Sequence, residues 1–151
     1  MFKLSKRSLD RLDGVDERLA AVVTAAIHKS RVDFGVICGM RTLEEQRELV
    51  EKGASQTMKS KHLSGHAVDL MAYCGSRASW ELNLYDDIAD AVAEAAREVD
   101  VPIVWGAAWT VPNIAQYNEG TMEDAMNSYI DVRRSQGRRP FIDGPHFELV
   151  V

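Results

Sequence analysis

At 151 residues, with 46% hydrophobic and 27% charged positions, the chain has the size of one domain and can bury a core without a disulfide or metal to hold it together. A net charge of −5 and the lack of a long basic run argue against a nucleic-acid footprint; the densest basic cluster, Arg133, Arg134, Arg138 and Arg139, reads as a solvated helix end. No apolar run approaches membrane-spanning length and the opening residues lack the apolar stretch of a signal peptide, so synthesis in the bacterial cytoplasm without stable membrane insertion is expected.

The first expected helix runs over residues 16–29, capped by Asp16, with Leu19, Val22, Val23, Ala26 and Ile27 as its apolar stripe. Val32, Phe34 and Val36 then alternate as a half-buried strand should, up to Gly39. Thr42-Leu-Glu-Glu45 is a capping box that opens a second helix, and Gly53 closes it. Polar residues 54–61 predict a loop, followed by a short strand over 67–73. The clearest helix spans about 82–99, with Leu84, Ile88, Ala91, Val92, Ala95 and Val99 on one face. A strand at 101–105, a helix at 121–135 and a final strand within 145–151 complete the chain. This order predicts an α+β domain, one unit over 1–151, with a small, mostly antiparallel sheet. Cys38 and Cys74 are read as two buried free thiols, since neither has the pattern of a nucleophile or a metal knuckle.

Three of the four histidines and two carboxylates fall in two short segments: Ser60-Lys-His62-Leu-Ser-Gly65-His66-Ala67-Val-Asp69 and Asp143-Gly-Pro-His146. Ala67 and Asp69 share a strand face, and Ala67 leaves room beside the carboxylate for an ion. Gly65 permits a turn that folds His62 back towards Asp69, and pairing of the last strand with the Asp69 strand brings in His146. Two histidines and an aspartate leave a fourth position for water, the arrangement of catalytic zinc. Asp143 suits a general base that is not itself a ligand; a plain Asp-Gly turn is the competing reading. The i, i+4 spacing of His62 and His66 imitates a helical zinc motif, but the intervening Glu is absent and Gly65 interrupts it. His66 therefore reads as a residue lining the site, and His28 as a helix-end histidine.

The pattern Ser60-x-His62-x-x-Gly65-x-Ala67-x-Asp69, with a later acid-x-x-His146, resembles peptidase family M15, the zinc D-Ala-D-Ala carboxypeptidase/dipeptidase superfamily. Within it the chain is most similar to phage endolysins that cut peptidoglycan as L-alanyl-D-glutamate endopeptidases. The likeness extends to Leu4-Ser-x-Arg7-Ser8-Leu9, Phe34-Gly-Val-x-x-Gly39-x-Arg41-Thr42, Gln46 and Gly144-Pro-His146-Phe-Glu-Leu. It implies Zn2+ held by His62, Asp69 and His146, with Asp143 as catalytic base and Arg41 stabilising charge on the substrate carbonyl. It also implies substrate contacts at Ser60. Trp105-Gly106-Ala107-Ala108-Trp109 departs from the Trp-Gly-Gly-Asp-Trp common in relatives; its tryptophans either wall the cleft, Trp105 as a substrate contact, or pack in the core. The function implied is hydrolysis of the peptidoglycan stem peptide, at the L-Ala–D-Glu bond, by a monomeric phage or prophage lysis enzyme reaching the wall after holin-mediated release. The alternatives are a D-Ala-D-Ala carboxypeptidase or dipeptidase, and a non-catalytic metal-binding module of the same fold.

Overall fold

Residues 67–74 alternate between two environments, and that alternation sets the layering. Val68, Leu70 and Ala72 have no exposure and join the main hydrophobic core, whereas Ala67, Asp69 and Met71 turn to the opposite side of the sheet. The structure, a computed structural model, describes residues 1–55 and 57–151. In chain order its elements are α1 (Lys6–Arg11), α2 (Glu17–Lys29), β1 (Asp33–Cys38), α3 (Leu43–Glu51), β2 (Ala67–Cys74), β3 (Arg77–Ser79), α4 (Leu82–Val99), β4 (Ile103–Trp105), α5 (Met122–Ser135) and β5 (His146–Leu149). Short 3-10 turns occupy Lys61–Ser64 and Ile114–Gln116.

The strands order as β1-β2-β5-β4, with β3 pairing onto β2, and every pairing is antiparallel. The molecule is an α+β fold. On one side of the sheet, Phe34 and Val36 of β1, Phe147 and Leu149 of β5, and Ile103 and Trp105 of β4 meet the apolar stripes of α2 and α4. The other side carries His146 and Glu148 beside Asp69.

Local signals place most elements where expected. Asp16 caps α2 through the Arg18 amide, and Thr42 and Glu45 exchange both bonds of a capping box at α3. A cap of this kind contributes about 1 kcal/mol. Two elements differ from expectation. Helix α1, absent from the expected elements, is too short to show a period; it is held because Ser8 Oγ accepts the Val36 amide at 2.9 Å and Arg11 donates to the Val36 carbonyl at 3.0 Å. Those bonds cover the free edge of β1. Strand β3 is three residues long and rests on pairing with β2 rather than on its own pattern. The cysteines also differ: both are free, but Cys38 is half-buried and Cys74 exposed. Among the described residues, no helix is long and apolar enough to cross a membrane.

Candidate active site

Three side chains form a row across neighbouring strands. Cys38 on β1 lies opposite Asp69 on β2, which lies opposite His146 on β5. A bulge between Val36 and Cys38 shifts the β1 register there, so the end of β1 is re-aimed beside Asp69. His146 Nδ1 is 3.2 Å from Asp69 Oδ1.

His62 reaches the same carboxylate from the 3-10 turn before β2. Ser60 caps that turn, its hydroxyl accepting the His62 amide at 3.2 Å. Gly65 ends it at φ +75°, and a methyl at this position would collide with the Gly14 carbonyl oxygen. His62 is 2% exposed, and its Nδ1 donates to the Gly39 carbonyl at 2.8 Å. That bond leaves Nε2 directed at Asp69 Oδ2, 3.4 Å away. For His146 the ring nitrogens swap roles: Nε2 sits 2.8 Å from Glu148 Oε1, which leaves Nδ1 for the centre. The two imidazoles meet edge to face, 5.3 Å between centroids.

Electrostatics follow from this clustering. Burial works against the charged form of His62, but hydrogen bonds to Asp69 and Cys38 outweigh it and push the group up to about 10. His146 is likewise raised to about 9, burial being overcome by Asp69 and Glu148. Asp69 is held far below the usual carboxylate range, because the two histidines overcome its desolvation. Asp143 shifts upward, first by burial and then by repulsion from Asp69.

Arg41 lies beside the centre. Its Nη2 is 3.3 Å from Asp69 Oδ2, its Nη1 donates to Gln46 Oε1 at 3.1 Å, and its Nε approaches Cys38 Sγ at 3.3 Å. Gln46 is fully buried, and its amide also donates to Ser55 Oγ and the Thr57 carbonyl. Asp143 is anchored by its backbone: its amide donates to the Gly106 carbonyl at 2.8 Å and its carbonyl accepts from the His146 amide at 3.1 Å. Gly106 permits that approach, since a methyl there would strike the Asp143 carbonyl. Arg41, Asp69 and Asp143 line both grooves that open from the centre, and Ser60 lines one of them.

Two expectations need correction. Trp105 has no exposed surface; it stacks on Phe147 and donates to the Gly144 carbonyl at 2.8 Å, so it braces the Asp143–His146 turn and cannot touch a substrate. Trp109 lines one groove, its ring centroid 5.9 Å from that of His146, and Trp80 lines the other. Ala107 and Ala108, at the departure from the relatives' pattern, are both fully buried. His66 does not line the site: it bonds Ser64 Oγ at 2.7 Å and faces Asp16 at 3.7 Å, at the N-terminus of α2. Two contributors, Gln46 and Glu148, belong to the segments that carry the family likeness but were assigned no role there. Strand alternation puts Glu148 on the His146 face, a signal legible in His-Phe-Glu. Its Oε2 also pairs with Lys61 Nζ at 2.8 Å.

The donor chemistry fits a metal ion. Asp69 is shared by two groups of potential ligands, one with Cys38 and His62 and the other with Asp143 and His146, the ligand atoms within each group lying within 4.8 Å of one another. Each histidine has one nitrogen engaged by an oxygen outside the centre and the other turned inward, as metal-ligating imidazoles do. Nitrogen and carboxylate donors together suit a borderline transition metal.

Comparison with known proteins agrees with this geometry. The family model of phage L-alanyl-D-glutamate peptidase matches residues 1–150. The L-alanyl-D-glutamate peptidase of Escherichia phage T5 is 28% identical over 99% of this chain and 98% of its own length. That of Listeria phage A118 is 37% identical over 47% of this chain and 24% of its own. The crystal structure of the Serratia marcescens L-Ala D-Glu endopeptidase ChiX superposes with a TM-score of 0.71 at 34% identity, covering 99% of this chain and 90% of that one. The vancomycin-resistance D,D-dipeptidase VanXYg shares the fold, with a TM-score of 0.51 at 17% identity over 90% of this chain and 50% of that one. With the histidine–aspartate centre, its flanking arginine and matches over nearly the whole sequence, the chain is a peptidoglycan peptidase and belongs to the phage L-alanyl-D-glutamate peptidase family.

Proposed function

We propose that the chain is a zinc peptidase that hydrolyses the L-Ala–D-Glu bond of the peptidoglycan stem peptide, with His62, Asp69 and His146 as the metal ligands. The observation that carries this reading is the convergence of His62 Nε2 and His146 Nδ1 on the two oxygens of Asp69, each ring being pinned through its other nitrogen. Cys38 and Asp143 also lie within reach of Asp69, but neither belongs to the ligand set. This reading keeps Asp143 for the base and gives Cys38, which accepts from Arg41 Nε, no part in holding the metal.

When bound, zinc supplies a Lewis acid that polarises the scissile carbonyl and acidifies water. Asp143 takes the proton of the attacking water and delivers it to the leaving amine of D-Glu; its upward-shifted carboxyl is a stronger base than an exposed aspartate. Arg41, aimed by Gln46 and Asp69, stabilises the negative charge that develops on the carbonyl oxygen. Ser60 lines the cleft and holds the substrate backbone, in addition to capping the turn that carries His62. The protein acts as a monomeric lysis enzyme, made in the host cytoplasm and released to the wall through a holin.

Mass spectrometry of digested peptidoglycan tests the bond assignment. New amino termini of D-Glu are expected; released D-Ala, with the L-Ala–D-Glu bond intact, would overturn it in favour of a D,D-carboxypeptidase.

A further inference from the structure

Two grooves leave the Arg41–Asp69–Asp143 centre and differ in character. The first, about 500 Å³, is walled by Ile37, Trp80 and Pro145, with Glu45, Glu48 and Lys52 along it. The second, about 700 Å³, carries Lys59, Lys61, Ser55 and Thr57, with Glu148 as the acid beyond the shared centre. Beyond the shared Arg41, Asp69 and Asp143, the first groove carries two acids, Glu45 and Glu48, against Lys52, and the second carries Lys59 and Lys61 against Glu148.

Trp80 is the distinctive member of the first groove. It is 62% exposed, although burying a ring of that size would stabilise the fold. Its indole stacks on Tyr85 with the planes 10° apart and the centroids 6.3 Å apart. Tyr85 is itself fixed, its hydroxyl donating to the Ser79 carbonyl at 2.7 Å and accepting from the Ala72 amide at 3.1 Å. The tryptophan is thus held by a buried partner while most of its surface faces solvent beside the reaction centre.

The substrate is asymmetric in a matching way. In peptidoglycan the L-Ala nitrogen is joined through a lactyl ether to an N-acetylated amino sugar, so a neutral pyranose stands one residue from the scissile bond. On the other side D-Glu brings an ionised carboxylate. A pyranose presents a face of C–H groups that packs on the electron-rich face of an indole. Resting on the L-Ala–D-Glu reading, we propose that the Trp80 groove binds the amino sugar on the N-terminal side of the scissile bond, while the Lys59–Lys61 groove receives the D-Glu side. This fixes the direction in which the stem peptide crosses the centre.

The test compares a disaccharide–tetrapeptide with the same tetrapeptide freed of its sugar. Wild type favours the sugar-bearing substrate, and Trp80→Ala lowers kcat/KM on it about tenfold more than on the free peptide, through KM. Trp80→Phe restores part of the preference. Phe141→Ala, in the second groove, keeps the sugar preference. Trp80→Gln provides the same comparison should the alanine variant fold poorly. Equal losses on both substrates in the Trp80 variants, or loss of the preference in Phe141→Ala alone, would overturn the assignment. Cleavage of neither substrate by wild type would instead sink the L-Ala–D-Glu reading, and the subsite with it.

Discussion

His146 stands directly across the β2–β5 pair from Asp69, with its Nδ1 3.2 Å from the Asp69 carboxylate and its Nε2 2.8 Å from Glu148. Glu148 therefore decides which nitrogen of His146 faces the centre, and Lys61 holds Glu148 in turn. Carboxylates that orient a ligating imidazole typically contribute 10–100-fold to metal affinity. Glu148→Ala is expected to weaken zinc binding by about that factor in a chelator competition. Unchanged affinity would mean that the His146 ring is fixed by Asp69 and packing alone.

Gln46 does the corresponding work for Arg41. It is fully buried and spends its carbonyl on the guanidinium and its amide on Ser55 and Thr57. Gln46→Leu keeps an apolar side chain of similar volume but leaves those groups unpaired, at a cost of about 1–3 kcal/mol. The expected result is a kcat about tenfold lower, with KM little changed, because the role proposed for Arg41 is to stabilise charge that develops only during attack. An increase in KM at constant kcat would place Arg41 in ground-state binding instead.

Stability of the metal-free protein should depend on alkaline pH. His62 and His146 are raised from 6.5 to about 10 and about 9 by Asp69 and their other partners, against the pull of burial. Their contribution is complete below about pH 6.5 and is lost as pH rises through the folded-state values. Asp69, shifted downward, contributes fully above its ordinary 3.8 and loses that only in strong acid. Metal binding reverses the histidine dependence, because it requires neutral imidazoles. Melting temperature of the metal-free protein is expected to fall between pH 7 and 10, while the zinc-loaded protein holds steady or gains. Parallel pH profiles for the two forms would contradict the coupling.

Gly65 shows how backbone geometry supports the centre. It adopts φ +75° at the end of the turn carrying His62, against the Gly14 carbonyl. Gly65→Ala is expected to cost about 1–3 kcal/mol in chemical denaturation and to weaken zinc binding, since the turn must shift to admit a methyl. Gly53 is also at positive φ (+76°), but a methyl added there would meet nothing within 4 Å. Gly53→Ala should therefore show the backbone cost without the loss of metal affinity.

Much of the fold was legible because its signals are local. Asp16, the Thr42–Glu45 capping box and the stripe over 82–99 specify their helices without help from elsewhere. The Asp69–His146 pairing was foreseeable from two strands whose apolar faces alternate. What escaped depends on partners distant in sequence. Helix α1 has a single covered turn and relies on β1; β3 relies on β2; Gln46 is a polar residue in an ordinary helix until Arg41 is placed beside it. Trp105 and Trp109 look equivalent in sequence. They separate because β4 sends Ile103 and Trp105 into the core, whereas Trp109 lies in the turn beyond.

Zinc stoichiometry measured alongside peptidoglycan hydrolysis in Asp143→Ala, His62→Ala and His146→Ala tests the division of labour most directly. Asp143→Ala should hold one zinc per chain yet lose activity by at least about a hundredfold, as removal of a general base does; both histidine variants should lose metal and activity together. Full activity in Asp143→Ala, or undiminished zinc in His62→Ala, would contradict the account.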